Sequence, residues 1–327
     1  MRVLVATNMY PTPQRPASGV FVRDQVESLR RLGIEVDVLF MDGRRSKLNY
    51  LTAFPRFWGQ LRRGRYDLVH AHYWMAGVVA RAQWRRPVVL THHGIETIKT
   101  WEARFSRRVT PWFDQVIVVS QEMRERLPYP KVHVIPCGVD LERFRPVPRD
   151  EARAALGLPL DRKLVLWAGD PTRREKRFEL VEAAVALLRG EDPSVELVLL
   201  AGKPHAEVPG YMSACDVLLL VSDAEGSPMV VKEAMACNLP VVSTPVGDVP
   251  QVIGGTDGCY LCTQEPADIA QKLRRALERR ERTRGRAAVQ HLGLEAVARQ
   301  VASVYRETLS RRPGREQAGA PEPASRG

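Results

Sequence analysis

The chain has 327 residues, of which 44% are hydrophobic and 27% charged, so it can bury a large core and is long enough for two domains. This composition excludes a disordered chain, a collagen-like repeat and a small disulfide scaffold as overall descriptions. The formal net charge of +11 is concentrated in residues 1–140, which hold 22 Lys or Arg against 12 Asp or Glu.

The cysteines and the N-terminus both indicate a cytoplasmic protein. Five cysteines scattered through a chain of this length do not form a disulfide framework. Cys259 and Cys262 have the C-x2-C spacing, but no second pair accompanies them, so a metal or redox role is not favoured. The N-terminus enters directly into a strand-like run, and no apolar run approaches the roughly 20 residues of a membrane helix.

Buried strand-like runs alternate with amphipathic stretches along the chain, the pattern typical of parallel sheets covered on both faces. In the first half these runs predict strands at 2–7, 34–40, 67–71, 88–91, 116–120 and 132–135. The clearest helix is 20–32, which ends at Gly33. Its apolar side chains recur along one side: Phe21, Val22, Val26, Leu29 and Leu32.

Two prolines in three residues interrupt the pattern at 144–148, and we place a domain boundary there. The second half restarts with predicted strands at 163–168, 196–201, 217–221, 240–243 and 258–262. Predicted helices lie near 175–188, 266–282 and 294–309, and 311–327 has the composition of a disordered tail. We expect domains at 1–145 and 146–310, with the last helix able to pack back on the first.

The fold class that follows is α/β, with two doubly wound, Rossmann-like domains and a cleft between them. Ligands in such sheets bind outside the carboxyl ends of the strands. The residues on the turns from strand to helix are therefore the first candidates for a functional site.

The turn after the predicted strand 217–221 has the features of an anion site. Gly226 allows close backbone approach, and Pro228 suits the first turn of a helix, whose free N–H groups attract negative charge. Glu225 and Glu233 flank this cradle. The alternative is a capping glutamate followed by an ordinary surface glutamate.

The run 225–242 resembles the E-x7-E signature of the retaining family 4 glycosyltransferases, which have the GT-B fold. The resemblance implies that Glu225 contacts the donor sugar and Glu233 the nucleotide ribose, with the donor cradle between them: Gly226, Ser227, Pro228, Met229 and Val230. The resemblance extends to about residue 310 and is closest in look to polysaccharide and teichuronic-acid-type members. It also implies that the turn at Gly19 meets the donor phosphates, and it covers the hinge at 135–144, where Cys137 replaces the common Asn.

A basic run after the strand 163–168 is the candidate clamp for the diphosphate. The family often has Arg directly after the glycine at the end of this strand and Lys six residues on; Lys176 matches the Lys, whereas Asp170 stands in place of the Arg. We expect a neighbouring arginine to substitute, with Arg174 ahead of Arg173 and Arg177. The alternative is a solvated basic turn.

His93 is the candidate residue near the reacting carbon, because it follows a strand of the first domain and the family has a His-Gly motif there. Alternation along the strand would turn His92, its rival, to the opposite face. No cluster has metal-ligand spacing, so we expect neither a metal nor another cofactor. The resemblance implies front-face attack by the acceptor, but the sequence leaves a covalent intermediate open.

The basic first half favours contact with an anionic membrane that carries a lipid-linked acceptor. Residues 44–65 hold seven Arg or Lys and no acid, interleaved with apolar side chains: Tyr50, Leu51, Phe54, Phe57 and Trp58. A second group places Trp101, Phe105, Trp112 and Phe113 around Arg104, Arg107 and Arg108. The alternative is that these aromatics are core and the arginines a solvated face.

The resemblance therefore implies a retaining GT-B glycosyltransferase, and the lack of metal-ligand spacing predicts that it is metal-independent. It would move a sugar from a nucleotide-diphosphate donor to a glycan, polysaccharide or lipid-linked acceptor at the inner face of the plasma membrane. The alternatives are a nucleotide-sugar epimerase of the same fold, a basic protein that binds membranes or nucleic acid, and an inactive scaffold. No nucleic-acid-binding module is recognisable, so we do not expect nucleic acid as a partner.

Overall fold

The computed structural model describes residues 1–43, 45–46, 48–94, 101–127, 129–204, 206–279 and 281–311. The predicted tail lies outside the described residues, except for residue 311. The described part holds two parallel sheets, one of six strands and one of five, which confirms the predicted α/β class with two Rossmann-like units. The boundary between them, placed at 145–146 from the sequence, stays a prediction. All five cysteines are free.

The first sheet has the order β2-β1-β3-β4-β5-β6, with every pair parallel. Its strands are β1 (Arg2–Thr7), β2 (Glu35–Phe40), β3 (Leu68–His72), β4 (Val88–His92), β5 (Gln115–Val118) and β6 (Val132–Val134). All six predicted strands are present. β5 ends earlier than predicted because Ser120 caps the next helix, its hydroxyl accepting a hydrogen bond from Met123 N.

Helices cover both faces of this sheet because successive side chains of each strand point to opposite sides. The helices are α1 (Val20–Arg31), α2 (Leu48–Arg63), α3 (Trp74–Ala80), α4 (Trp101–Val109) and α5 (Gln121–Arg126). Val3 and Val5 of β1 pack with α1, whereas Leu4 and Ala6 pack with α2 and α3. A 3-10 turn, Thr110–Trp112, follows α4.

The second sheet has the order β11-β10-β9-β7-β8 and is also parallel throughout. Its strands are β7 (Lys163–Trp167), β8 (Val195–Leu199), β9 (Val217–Leu220), β10 (Val241–Ser243) and β11 (Tyr260–Leu261). Its helices are α6 (Arg149–Leu156), α7 (Phe178–Glu191), α8 (Val208–Ala214), α9 (Met229–Ala236), α10 (Val249–Ile253), α11 (Pro266–Glu278) and α12 (Gly285–Ala288).

The start of α7 differs from the predicted one at residue 175. A 3-10 turn, Arg174–Lys176, comes first, and Arg177 then adopts a left-handed conformation with φ 53°. A residue with positive φ cannot continue a right-handed helix, so α7 begins at Phe178. The basic run is therefore a separate turn above the sheet.

The last helix, α13 (Leu294–Ser310), packs on α1 and the first sheet. Its buried side chains Val297, Val301 and Tyr305 complete the core that contains Val3 and Val22. A helix that follows the second sheet thus covers the first, which ties the two halves of the chain together.

Each sheet has a switch point at which the chain reverses direction across the sheet, between β1 and β3 and between β7 and β9. Crevices form at such points beyond the carboxyl ends of the strands. The turns that carry Gly19, Lys176 and Glu225 follow β1, β7 and β9, so all three lie at these ends.

Candidate functional site

The loop after β9 touches the end of β4 in the first domain. A methyl group added at Gly226 would lie 2.0 Å from the carbonyl oxygen of His93 and 2.9 Å from Gly94 Cα. Close by, Gly247 N donates a hydrogen bond of 3.1 Å to Glu122 Oε2 of α5. The carboxyl ends of the two sheets therefore face each other across a narrow cleft, and the loop with Gly226 forms its floor.

Gly226→Ala should separate the two domains locally, because the added carbon meets backbone rather than a flexible side chain. Misplacement of catalytic groups by about 1 Å can cost about 10²-fold in rate. We expect kcat for transfer to fall by about that factor while circular dichroism stays unchanged. Gly190→Ala in α7 is the matched control, since an added carbon there meets nothing within 4 Å. Equal rates for the two variants would contradict the close approach.

The two residues predicted to act on the donor, Lys176 and Glu225, form an ion pair. Lys176 Nζ lies 2.5 Å from Glu225 Oε1, and each side chain is 17% exposed. A backbone hydrogen bond of 2.9 Å from Asp223 N to Glu175 O joins the 3-10 turn to the loop after β9. The structure thus brings a cation and a carboxylate together at the switch point of the second sheet, partly shielded from water.

The three arginines near Lys176 are not equivalent. Arg173 is paired with Glu175, and Arg177 with Glu179 and Asp223. Arg174 is exposed and makes no side-chain hydrogen bond or ion pair to any residue that the structure describes. Its guanidinium is therefore available to a ligand, which favours Arg174 over its two neighbours.

Asp170, which stands where the family often has Arg, is hydrogen-bonded within its own turn. Its carboxylate accepts hydrogen bonds from the backbone N and the hydroxyl of Thr172, at 2.9 and 2.6 Å. These bonds hold the pKa of Asp170 below its usual value. Asp170 therefore shapes the turn, and the cationic role of Lys176 and Arg174 stays a prediction.

A buried ion pair behind the cradle was missed by sequence reasoning. Lys232 of α9 is fully buried, and its Nζ lies 2.6 Å from Asp248 Oδ2 and also donates to Ser227 Oγ. Ser227 Oγ donates to Asp248 at 2.7 Å and accepts from Cys137 N at 3.2 Å. The Ser227 hydroxyl is thus turned inwards, where it connects the cradle to the hinge. The predicted contact of Ser227 with the donor stays a prediction. The available signal was a lysine within an apolar helix.

Three of the predicted donor-binding residues line one pocket of about 140 Å³ between the domains. Gly19 and Met229 lie at the starts of α1 and α9, and Glu233 lies a turn further along α9. Asp24, Asp140 and Arg143 complete its charged lining. Since the first N–H groups of a helix have no intrahelical partner, the start of α9 offers hydrogen-bond donors next to this pocket. Arg143 is a further candidate that sequence reasoning did not identify.

Glu233 is a titratable residue of this pocket with a strongly shifted pKa. Burial raises the pKa of Glu233 to about 7, against a smaller opposite effect of Arg143. The side chain therefore changes charge in the physiological range. A carboxylate at this position can accept hydrogen bonds from two neighbouring hydroxyl groups, whereas the protonated form loses part of that capacity.

His93 lies on the first-domain side of the cleft with its ring 4.8 Å from that of Phe21. Its Nε2 is 2.8 Å from His72 Nδ1, and its Nδ1 is 4.0 Å from Cys137 Sγ. Burial, and then the neighbouring His72 and His92, lower the pKa of His93 well below its usual range. The ring is therefore neutral near pH 7. Whether it acts on the donor stays a prediction.

His92 points away from the cleft, as strand alternation predicts. It is fully buried on the other face of the first sheet, where its ring nitrogens face Ser106 and Thr110 at 3.5 and 3.3 Å. Burial lowers the pKa of His92 to about 3. Of the two histidines, His93 is the one at the candidate site.

Only some of the aromatic side chains expected on the basic surface of the first domain are exposed. Phe57 and Phe113 are buried in the core, contrary to the interpretation as exposed aromatics, because they face the sheet from α2 and from the turn after α4. Among the described side chains of residues 48–65 and 101–113, five large apolar ones are exposed: Leu48, Leu51, Trp58, Phe105 and Trp112. Exposed arginines stand beside them: Arg56, Arg62, Arg63, Arg65, Arg104, Arg107 and Arg108. Arg44, Lys47 and the Trp101 side chain lie outside the described residues.

Two family models match most of the chain. The first, described as Glycosyltransferase Family 4, matches residues 3–143, and the second, described as Glycosyl transferases group 1, matches residues 163–279. The two matches fall on the two sheets, and together they include Lys176, Glu225 and Glu233.

Curated relatives agree with these matches. The putative teichuronic acid biosynthesis glycosyltransferase TuaC of Bacillus subtilis is 29% identical over 84% of this chain and 89% of its own length. D-inositol 3-phosphate glycosyltransferase 1 of Catenulispora acidiphila is 30% identical over 80% of this chain and 79% of its own length.

Solved structures share the fold over nearly the whole chain. Sucrose-phosphate synthase from Thermosynechococcus elongatus has a TM-score of 0.77 at 22% identity and covers 94% of this chain and 99% of its own. Anabaena Alr3699/HepE in complex with UDP-glucose has a TM-score of 0.68 at 20% identity and covers 95% of this chain and 98% of its own. The two sheets thus form a GT-B fold, and the chain belongs to glycosyltransferase family 4.

Proposed function

We propose that this glycosyltransferase moves a sugar from a nucleotide-diphosphate donor to a glycan, polysaccharide or lipid-linked acceptor, with retention of anomeric configuration and without a metal or other cofactor. The observation that carries the proposal is the Lys176–Glu225 pair, 2.5 Å apart in the cleft at the carboxyl ends of β7 and β9. In this scheme residues 146–310 hold the donor and residues 1–145 receive the acceptor.

The charge of the leaving diphosphate explains the arrangement of the cleft. As the glycosidic bond breaks, negative charge grows on the phosphate oxygens, and donors already in place lower the barrier. Lys176 and Arg174 supply the cations, and the first N–H groups of α9 supply neutral donors. These groups take the role that a divalent cation has in other phosphate sites. Among the described residues, no group of three or more His, Cys, Asp or Glu is placed to hold a metal ion.

Glu225 and Glu233 then divide the hydroxyl groups of the donor between them. Glu225 would accept hydrogen bonds from the sugar and Glu233 from the ribose, as the family resemblance implies. Gly19 starts α1 in a left-handed conformation, φ 71°, and an added carbon there would meet the backbone of Met9 at 2.3 Å. A side chain at Gly19 would thus distort the turn that approaches the phosphates. Neutral His93 would lie beside the reacting carbon as a hydrogen-bonding group.

A nucleotide-sugar panel tests the proposed function. Calorimetry should show binding of one donor class among UDP-, GDP- and ADP-sugars, and UDP-glucose is the first choice because the Anabaena neighbour was solved with it. Incubation with the acceptor should then release the nucleoside diphosphate, and NMR of the product should show the donor's anomeric configuration. Failure of the whole panel to bind would contradict the proposal.

The charge of Glu233 predicts a pH dependence of donor binding. Because the pKa of Glu233 is about 7, the carboxylate forms as the pH rises through that value. Hydrogen bonds to a charged acceptor contribute about 1.5–3 kcal/mol, so donor affinity should rise about tenfold between pH 6 and pH 8. The measurement is calorimetry with an intact nucleotide sugar, since the terminal phosphate of a free nucleotide titrates near pH 6.

Glu233→Gln is the control for this prediction. The variant should bind the donor more weakly at pH 8 and show a flat pH profile. It should also raise the apparent Tm at pH 8 and raise it less at pH 5. The reason is that a folded-state pKa above the unfolded value makes the charged carboxylate destabilising once the pH exceeds both values. An unchanged pH step in Glu233→Gln would assign the titration to another group.

We further propose that the first domain contacts anionic lipid at the inner face of the plasma membrane, where a lipid-linked acceptor would lie. Support comes from Leu48 and Leu51, each 65% exposed on α2 beside a row of exposed arginines. Basic segments with exposed apolar side chains bind anionic interfaces. In the described part of the chain, no helix has both the length and the apolar character to cross a bilayer.

Sedimentation with vesicles tests this contact. Binding is expected to phosphatidylglycerol vesicles but not to phosphatidylcholine vesicles, and to weaken as salt is raised. The variant Leu48→Ser/Leu51→Ser should bind more weakly, whereas Leu187→Ser, an exposed leucine of the second domain, should bind as the parent does. Binding that ignores salt and lipid charge would refute the contact.

A further inference from the structure

Three histidines lie in a row behind the candidate site, two of them on β3 and the third, His93, directly after β4. The rings of His70 and His72 of β3 are tilted by 36° to each other with centroids 4.2 Å apart, and the rings of His72 and His93 are nearly parallel with centroids 5.1 Å apart. Both nitrogens of His70 have partners, Tyr305 Oη at 2.6 Å and Thr91 Oγ1 at 2.7 Å. The row leads from α13 to the cleft and ends at His93.

Only one of the two ring nitrogens of His72 has a hydrogen-bond partner among the described residues. Its Nδ1 is hydrogen-bonded to His93 Nε2 at 2.8 Å, but its Nε2 makes no hydrogen bond to any described residue, although the side chain is fully buried. Burial lowers the pKa of both rings, so each carries one N–H and one lone pair near neutral pH. A buried imidazole nitrogen without a partner is unfavourable, because it has lost its hydrogen bonds to water.

A second unpartnered atom lies next to the same space. His72, His93 and Gln25 of α1 line a small cavity of about 20 Å³. Gln25 Oε1 is buried and makes no hydrogen bond to any described residue. A cavity needs about 10–15 Å³ to hold one water molecule, which also requires polar partners. This cavity has the volume for one water molecule, and two of the residues that line it each carry a buried polar atom without a hydrogen-bond partner among the described residues.

We propose that the cavity behind His93 binds one ordered water molecule, which bridges Gln25 Oε1 and His72 Nε2 and so makes His72 the positioning residue for His93. Water can donate to the amide oxygen and either donate to or accept from the imidazole nitrogen. A continuous hydrogen-bonded chain then runs from α1 through the water and His72 to His93.

The chain would fix the orientation of the His93 ring at the edge of the cleft. Because one ring donates and the other accepts in the His72–His93 hydrogen bond, the water on His72 also influences which nitrogen of His93 carries the proton. The functional part of this inference rests on the proposed function, since it needs His93 at the donor site. The water site itself does not depend on that function.

A crystal structure of the full chain, at a resolution that shows ordered solvent, tests the site directly. We expect one density peak within hydrogen-bonding distance of both His72 Nε2 and Gln25 Oε1. A cavity without density, or a Gln25 side chain bonded elsewhere, would overturn the proposal. This test of the water site is valid even if no nucleotide sugar is a substrate.

Gln25→Leu tests the positioning role, because leucine keeps most of the volume and removes one partner of the water. We expect the water to be lost and the imidazole ¹⁵N signals of His72 and His93 to shift. We expect kcat to fall about threefold to tenfold, the effect of one lost hydrogen bond, with the dissociation constant of the donor unchanged.

Gln60→Leu is the matched control. Gln60 lies on α2 and also has a buried, unpartnered Oε1, but it does not line this cavity. Gln60→Leu should leave the histidine signals and kcat unchanged. The positioning role is refuted if both variants lower kcat equally, or if Gln25→Leu moves neither the signals nor kcat. If the parent protein has no transferase activity but Gln25→Leu still shifts the histidine ¹⁵N signals, the hydrogen-bonded chain is supported and only the proposed function is rejected.

Discussion

Replacement of Lys176 by alanine is expected to lower kcat by about 10²–10³-fold while the fold stays intact. The estimate follows from the cost of removing one preorganised charge donor from an active site. Lys176 is 17% exposed, so its charge acts through a medium that is less screening than water. The measurement is steady-state kinetics with a saturating donor, with circular dichroism as the check on folding.

Lys163→Ala is the matched control for this variant. Lys163 lies in the same domain and also pairs with a carboxylate, Asp192, at 2.7 Å. It stands at the amino end of β7, however, whereas Lys176 follows the carboxyl end of the same strand. Near-normal rates are expected for Lys163→Ala. Near-normal rates for Lys176→Ala would refute its role at the diphosphate.

Glu225→Gln separates the two members of the pair. If Lys176 only holds Glu225 in place, the double variant Lys176→Ala/Glu225→Gln should be no slower than the slower single variant. If each residue contacts the donor, the losses should accumulate in the double variant. We expect accumulation, because the diphosphate and the sugar hydroxyl groups are different parts of the donor. Glu225→Gln with the parent's rate would show that its carboxylate is not needed.

Much of the fold could be predicted from the sequence because each strand is a continuous buried run. Arg2–Thr7 and Lys163–Trp167 start where predicted. A strand buried on both faces can be recognised from its own continuous run of apolar residues. The start of α7 could not be predicted, because the left-handed conformation of Arg177 depends on its contacts with Asp223 and Glu179. Such contacts are set by tertiary structure.

Exposure of the aromatic side chains was harder to predict. Phe57 and Trp58 are neighbours in α2, yet Phe57 is buried and Trp58 is exposed. Helical spacing would have separated them, because Phe57 is four residues from buried Ala53 on one face. No sequence pattern predicted the contact between His72 and His93, because that contact depends on the register between β3 and β4.

Some residues of the candidate site could also be predicted from local sequence, whereas others depend on tertiary contacts. Glu225, Gly226 and Glu233 were visible because they belong to one continuous turn and helix. Lys232, in the same helix, gave no sign of its partner, because Asp248 lies on a later loop. Local sequence shows which groups are present at the end of a strand, but the structure is needed to pair them.

Lys232→Met is expected to destabilise the second domain strongly. The substitution leaves Asp248 buried without its cation, and Asp248 Oδ1 already has no hydrogen-bond partner among the described residues. Breaking a buried ion pair in this way costs about 3–5 kcal/mol, which corresponds to an apparent Tm lowered by roughly 10 °C. Lys163→Met, which breaks a pair that is more than one third exposed, should lower the apparent Tm far less, because exposed ion pairs contribute little to stability. Thermal and urea unfolding measure both effects.

The double variant Lys232→Met/Asp248→Leu distinguishes stability from positioning. Replacing both members of a buried pair by apolar groups is often neutral, so most of the lost Tm should return. Donor affinity should be lower than in the parent both in Lys232→Met and in the double variant. In the double variant Ser227 Oγ loses its contacts with Lys232 and Asp248 and keeps only Cys137 N. The cradle would then be stable but no longer fixed against the hinge. Full recovery of both Tm and donor affinity would show that the pair only stabilises the fold.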